Sequence, residues 1–186
     1  MEYAVAAIVG YLLGSVPAAL LVARRHGVDL YATGDGNPGA WNALEQLGGR
    51  RAWPAFIGDA LKGLCAGGAG WAIGGDVGTA YAGVAGAMLG HALPVFSRLR
   101  GGKAVMTFVG GMFAVALVST AAALAVCVAV SLAARSFAIG ARVGIVCVPA
   151  FQAVLDGPER VIPTGALMCL IGLLFVVRRG RSGAAQ

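Results

Sequence analysis

Charge is scarce in this chain: only 12% of its 186 residues are charged, while 59% are hydrophobic and the mean hydropathy is +0.82. A soluble domain of this size could not hide so much apolar surface, so the bilayer is the expected solvent. Histidine is rarer still. Neither His26 nor His91 opens the His-x-x-x-x-Asp pair that soluble acyltransferases use as base and orienter. No Gly-x-Ser-x-Gly elbow and no His-Glu-x-x-His pair occurs, which excludes serine hydrolases and zinc proteases at the level of motif. Cys65, Cys127, Cys147 and Cys169 fall inside apolar runs without a Cys-x-x-Cys spacing, and they read as small packing residues rather than metal or redox groups. A basic region before the first apolar run is missing as well, and Arg24 and Arg25 follow that run at once, so the segment is expected to stay as an anchor. No internal repeat of useful strength is visible, which removes the inverted-repeat signature of many transporters.

What the chain does contain is a series of apolar runs: Tyr3–Ala23, Ala52–Gly74, Thr79–Phe96, Ala104–Ala134, Val143–Leu155 and Val161–Val177. The fourth is either one very long tilted helix or two helices shorter than the roughly 17–25 residues usually needed to cross. Charge decides between them. If the run turns near Ser119–Thr120, the arginines and Lys103 gather on one side and Arg160 alone faces the other, as the positive-inside bias requires. The expected architecture is therefore an all-α integral membrane protein, one domain over residues 1–186, with a compact bundle of seven transmembrane helices. Its N-terminus lies outside and its C-terminus in the cytoplasm. Thirty glycines point to close helix–helix contacts, because in lipid the attraction between helices comes from close backbone approach. The formal charge of +6 sits at the ends of apolar runs, where cations meet headgroups, so nucleic acid is not an expected partner.

Three features carry chemistry. The first is Gly34-Asp35-Gly36-Asn37-Pro38-Gly39-Ala40-Trp41-Asn42, whose glycines let successive backbone N–H groups converge as phosphate cradles do; it lacks the Gly-Lys-Ser/Thr ending of a Walker loop, and a plain turn between helices is the competing reading. The second runs from Gly90-His91 through Pro94-Val95-Phe96 to Gly101-Gly102-Lys103. Placed at the N-terminus of the next helix, Gly-Gly-Lys would combine exposed amides, the positive helix end and an ammonium; the alternative is a basic interface loop. The third is Asp59 and Lys62, three apart on one helix face inside a span, which marks either function or a mutual salt bridge.

Together with Gly14-Ser15-Val16-Pro17 and Asp59-Ala60-Leu61-Lys62-Gly63, these motifs resemble, in order and spacing over roughly residues 1–107, the bacterial acyl-phosphate:glycerol-3-phosphate acyltransferases commonly called PlsY. The resemblance implies a bacterial inner-membrane enzyme of phospholipid biosynthesis, its site facing the cytoplasm. It would move a fatty acyl group from acyl phosphate to the 1-hydroxyl of glycerol 3-phosphate, without a cofactor or metal. Carried over residue by residue, it implies Lys103 and His91 as catalytic residues and Gly34, Gly36, Asn37, Gly39, Asn42, Gly101, Gly102 and Arg135 as phosphate- or substrate-binding residues. Asp35 stands where the family has a serine, Glu45 where it has an arginine associated with the acceptor, and Ala138 where a serine is expected in Ala134-Arg135-Ser136-Phe137-Ala138; the family's last motif is not found after Val177. A carboxylate about 5 Å from a phosphate repels it by about 3 kcal/mol at an effective dielectric near 20. Asp35 is thus expected to point away, to pair with a cation such as Lys103, or to recruit a metal. Two other readings remain: a non-catalytic relative that binds lipid phosphates, and a small transporter built on Asp59 and Lys62.

Overall fold

The computed structural model describes the backbone of residues 1–183 and the side chains of residues 1–177. The side chains of Arg178, Arg179 and Arg181, part of the expected charge bias, lie outside the described residues, as does the tail 184–186. The described chain is all helical: α1 (Glu2–Gly14), α2 (Ala18–Arg25), α3 (Ala40–Leu47), α4 (Gly49–Gly74), α5 (Val77–Ala92), α6 (Val105–Val115), α7 (Leu117–Ala134), α8 (Phe137–Leu155) and α9 (Val161–Gly183). Among the described residues, five stretches are long and apolar enough to cross a bilayer, namely Glu2–Arg25, Val77–Ser97, Leu117–Ala134, Phe137–Leu155 and Pro158–Val177.

Local chemistry sets the boundaries. Pro17 divides the first apolar run into α1 and α2, because it has no N–H to continue the ladder. Asp76 caps α5 by accepting from the Thr79 amide at 3.0 Å, and Gly75, in the left-handed region at φ +70°, ends α4. Two expected boundaries move. The long apolar run breaks at Ala116 (φ −146°, ψ 72°) rather than at Ser119–Thr120. Those two side chains face inward: Thr120 Oγ1 bonds the Ala116 carbonyl at 2.6 Å and Ser119 bonds Asp156. Helix α8 starts at Phe137, capped by Ser136, so Arg142 lies in its second turn rather than in a loop before Val143.

Glycines let the helix backbones touch. A Cβ at Gly10 or Gly14 of α1 would collide with the carbonyl of Gly83 or Ala87 on α5, and a Cβ at Gly86 or Gly90 of α5 with the carbonyl of Ala7 or Tyr11 on α1. The same exchange joins α4 to α6, with Gly63 against the Thr107 carbonyl and Gly110 against that of Ala60. Between these pairs sits a core of Val84, Met88, Phe108 and Met112, all fully buried. Of the cysteines, Cys127 and Cys147 are half-buried, while Cys65 and Cys169 lie on exposed helix faces.

Contacts sort the helix ends into two groups. At one end Tyr3 donates to Asp76 at 3.2 Å, Tyr81 donates to the Arg160 carbonyl at 3.0 Å, and Arg160 reaches the Val115 carbonyl. At the other end lie the two glycine-rich loops, α3 and the α7–α8 turn. There Trp41 stacks on Phe137, with ring centroids 5.9 Å apart.

A glycine-loop site at one end of the bundle

The first loop is organised by Asn42. Its side chain is 1% exposed, and Nδ2 donates to the carbonyls of Leu30 (3.1 Å), Thr33 (2.9 Å) and Asn37 (3.0 Å), which folds the loop around the first turn of α3. Gly34 (φ +60°) and Gly36 (φ +67°) supply left-handed turns, and a Cβ on Gly34 would strike Asn42 Oδ1. Asn42, expected as a phosphate- or substrate-binding residue, has its side-chain amide engaged by these three loop carbonyls. Gly39, the N-cap of α3, and Asn37 complete the turn, with the Asn37 amide donating to Asp35 Oδ1 at 3.0 Å. The Oδ1 atoms of Asn37 and Asn42 are buried without a hydrogen-bond partner.

The second loop is strained. Arg98, Leu99 and Ala104 hold φ values of 53°, 59° and 60°, a region that costs residues with a Cβ on the order of 1–3 kcal/mol each. Gly101 and Gly102 are buried against His91: a Cβ on Gly101 would meet the His91 carbonyl, one on Gly102 the imidazole Nε2, and the Gly102 amide donates to His91 O at 3.0 Å. This corrects the expectation that Gly-Gly-Lys opens the next helix. Helix α6 begins at Val105 with Ala104 as its N-cap, and the Gly102 amide is committed to His91. The loop is a packed turn that presents Lys103.

Two residue pairs bring the loops together. Lys103 Nζ lies 3.1 Å from Asp35 Oδ2, and Tyr31 donates to the Arg100 carbonyl at 2.8 Å while the Arg100 guanidinium stands 4.5 Å above the Tyr31 ring. Of the fates expected for Asp35, pairing with Lys103 is the one observed. Tyr31 had no signal in the sequence beyond being an aromatic in a polar loop. Lys103 also stands 4.8 Å from the centroid of Phe175 on α9. Glu45 accepts from the Trp41 indole at 2.7 Å, and Arg135 (φ 48°) is exposed at the α7–α8 turn, which Phe137 ties to α3.

Below the loops, a recess is lined by Pro17, Pro38, Asp59, Lys62, His91 and Gly102. Asp59 and Lys62 form the salt bridge that their spacing allows, at 2.8 Å, with 2% and 7% of their side chains exposed. Removing one partner of such a buried pair costs about 3–5 kcal/mol, because the other charge is left uncompensated. Lys62 also donates to the Val16 carbonyl at 2.8 Å and approaches His91 Nδ1 at 3.0 Å. Among the described residues, no group of three or more His, Cys, Asp or Glu side chains could hold a metal ion.

A separate apolar cleft, lined by Val105, Met106, Val109, Cys127, Phe137 and Ile145 among others, runs between α6, α7 and α8. It starts two residues beyond Lys103.

The family profile described as glycerol-3-phosphate acyltransferase matches residues 4–183. The chain belongs to the glycerol-3-phosphate acyltransferase family. Curated relatives of that name include proteins of Rhizobium etli (36% identical over 169 residues, 89% of this chain and 80% of the relative), Geobacter sulfurreducens (34% over 184 residues, 94% and 92%) and Clostridioides difficile (39% over 157 residues, 81% and 77%). Crystal structures of PlsY (YgiH), an integral membrane glycerol 3-phosphate acyltransferase, are similar in fold. Its glycerol 3-phosphate form gives a TM-score of 0.80 at 27% identity, covering 97% of this chain and 90% of that one. Its lysophosphatidic acid form gives 0.77 at 28% identity, covering 96% and 88%. With its apolar helices, this membership makes the chain an all-helical integral membrane protein.

Proposed function

We propose that this protein is a membrane acyltransferase that moves a fatty acyl group from acyl phosphate to glycerol 3-phosphate, releasing inorganic phosphate and lysophosphatidate. In the reaction the glycerol hydroxyl oxygen bonds to the acyl carbon, the bond from that carbon to the phosphate oxygen breaks, and the hydroxyl proton leaves with the released phosphate. The observation that carries the reading is the meeting of two glycine-rich turns at one end of the bundle, with Lys103 bridging them. An ammonium above backbone turns stabilises charge that develops on a leaving phosphate. A phosphate dianion takes over Lys103 from Asp35, and Gly34, Gly36, Asn37 and Gly39 shape the turn that receives it. His91 supports the opposite turn through Gly101 and Gly102, and Arg135, exposed at the α7–α8 turn, is a candidate second cation. The acyl chain lies in the apolar cleft between α6, α7 and α8, whose lining begins at Val105.

The finer topology belongs to the same proposal: seven crossings, with α4 and the short α6 completing the five long apolar helices, the N-terminus outside and the site at the cytoplasmic face of the inner membrane. The sorting of helix ends and the positive-inside bias support it. The changed positions Asp35, Glu45 and Ala138 favour a second reading, a family member that binds lipid phosphates without turnover. Purified protein in lipid, given acyl phosphate and glycerol 3-phosphate, is expected to release phosphate, with the rate lost in Lys103→Ala. Ligand-dependent thermal stabilisation with no release above that control would replace the enzyme with the binder.

A further inference from the structure

We infer that Lys62 is a positioning residue of this site: its ammonium fixes the His91 imidazole with Nδ1 as acceptor and the ring proton on Nε2, and the ring so held sets the turn that presents Lys103. The inference deepens the acyltransferase reading and rests on it only for its kinetic arm.

An ammonium offers three protons and no lone pair. Lys62 Nζ stands 3.0 Å from His91 Nδ1, so Nδ1 is the acceptor, and a neutral ring then carries its proton on Nε2. The buried carboxylate of Asp59 lies 2.8 Å from Nζ, as the partner of the ammonium, and 3.6 Å from His91 Nδ1, beyond hydrogen-bond distance of the ring. The third partner of Nζ, the Val16 carbonyl at 2.8 Å, lies in the break that Pro17 makes between α1 and α2. One ammonium thus ties three elements, the α1–α2 break, α4 and the last turn of α5. On its far side the ring is the surface against which the second loop packs. Gly102 has no room for a Cβ because of Nε2, Gly101 has none because of the His91 carbonyl, and the Gly102 amide is bonded to that carbonyl.

This device gives Val16, Asp59, Lys62 and His91, one or two residues from each of three motifs, a common role beside the helix contacts made by Gly14, Gly63 and Gly90. It also assigns His91. With Nδ1 occupied by a donor and Nε2 protonated, the imidazole has no lone pair to take a proton, so it acts as a neutral support and not as a general base.

The test begins with nitrogen NMR of the full chain in lipid bilayers. His26→Gln, at an exposed position outside the site, leaves a single imidazole. The expected spectrum is one neutral tautomer, with Nε2 protonated and Nδ1 bare. A protonated Nδ1 at neutral pH, as imidazolium or as the other tautomer, overturns the inference whether or not the protein turns over. For kinetics, Lys62→Met with Asp59→Asn removes both charges together. The expected result is a rise of about tenfold or more in KM for a phosphate-bearing substrate, as misplacement of a binding group produces. His91→Asn, which keeps an acceptor near the Nδ1 position, is expected to retain more of the wild-type KM than His91→Ala. A purely structural role would lower thermal stability and leave the KM of the folded fraction unchanged; an unchanged KM in the double variant likewise overturns the inference.

Discussion

Replacing Asp35 by serine removes the carboxylate that neutralises Lys103, and the effect on phosphate binding can be worked from the geometry. Asp35 Oδ2 lies 3.1 Å from Lys103 Nζ, so a phosphate that reaches this lysine also comes within about 5 Å of the carboxylate. At that distance the repulsion is about 3 kcal/mol at an effective dielectric near 20, and under 1 kcal/mol in bulk water. Asp35 is 41% exposed and Lys103 24%, so solvent screening draws the value toward the lower figure. A gain of about 1 kcal/mol corresponds to roughly fivefold. Asp35→Ser is therefore expected to lower the KM of at least one phosphate-bearing substrate about fivefold, measured as phosphate release in lipid. The gain should shrink as ionic strength rises, since both charges are partly exposed. Asp35→Asn, which keeps an acceptor for the Asn37 amide, should behave in the same way. An unchanged or higher KM at low salt would show that Asp35 and the substrate do not compete for Lys103, and the charge argument would fail.

Gly34→Ala places a Cβ at φ +60° against Asn42 Oδ1, and it is expected to cost about 2 kcal/mol or more in thermal unfolding and to abolish phosphate release. Tyr31→Phe removes one hydrogen bond to the Arg100 carbonyl, worth about 1 kcal/mol, and should raise KM with little change in melting temperature; a large fall in melting temperature would make the contact structural alone. Hydrogen bonding from the Thr79 amide holds the Asp76 carboxyl below its ordinary range. A depressed folded-state value means that this stabilisation is present above the unfolded carboxyl pKa and is lost as pH falls through the lower folded value. The acid limb of the stability profile should therefore flatten in Asp76→Ala, and an identical limb would contradict the assignment.

How far residues could be read without coordinates depended on the range of the contact. Asp59 and Lys62 were legible because three residues on a helix put them on one face, and the glycine-rich faces of α1, α4, α5 and α6 followed from the need for close approach in lipid. Pairing of Asp35 with Lys103 was legible as one of three options, because a carboxylate among phosphate ligands needs a cation. Other features depended on contacts between distant segments, which leave no periodic trace. Gly101 and Gly102 look like an anion cradle in sequence, yet they are small because His91 lies against them. Asn42 looks like a ligand group and proves to hold three loop carbonyls. The break at Ala116 carries no proline or glycine signal; the polar pair that suggested a turn three residues later is engaged with Asp156 and with the Ala116 carbonyl.

The central claim is that the loop around Gly34–Asn42 and the loop around Arg98–Lys103 form one phosphate site on one face of the membrane. Single cysteines introduced as Ala32→Cys and Arg98→Cys, with the four native cysteines replaced, test it in sealed inverted and right-side-out vesicles. Both positions are expected to react with an impermeant thiol reagent from the cytoplasmic side only, and glycerol 3-phosphate is expected to slow both reactions. Labelling of the two positions from opposite sides would contradict the account.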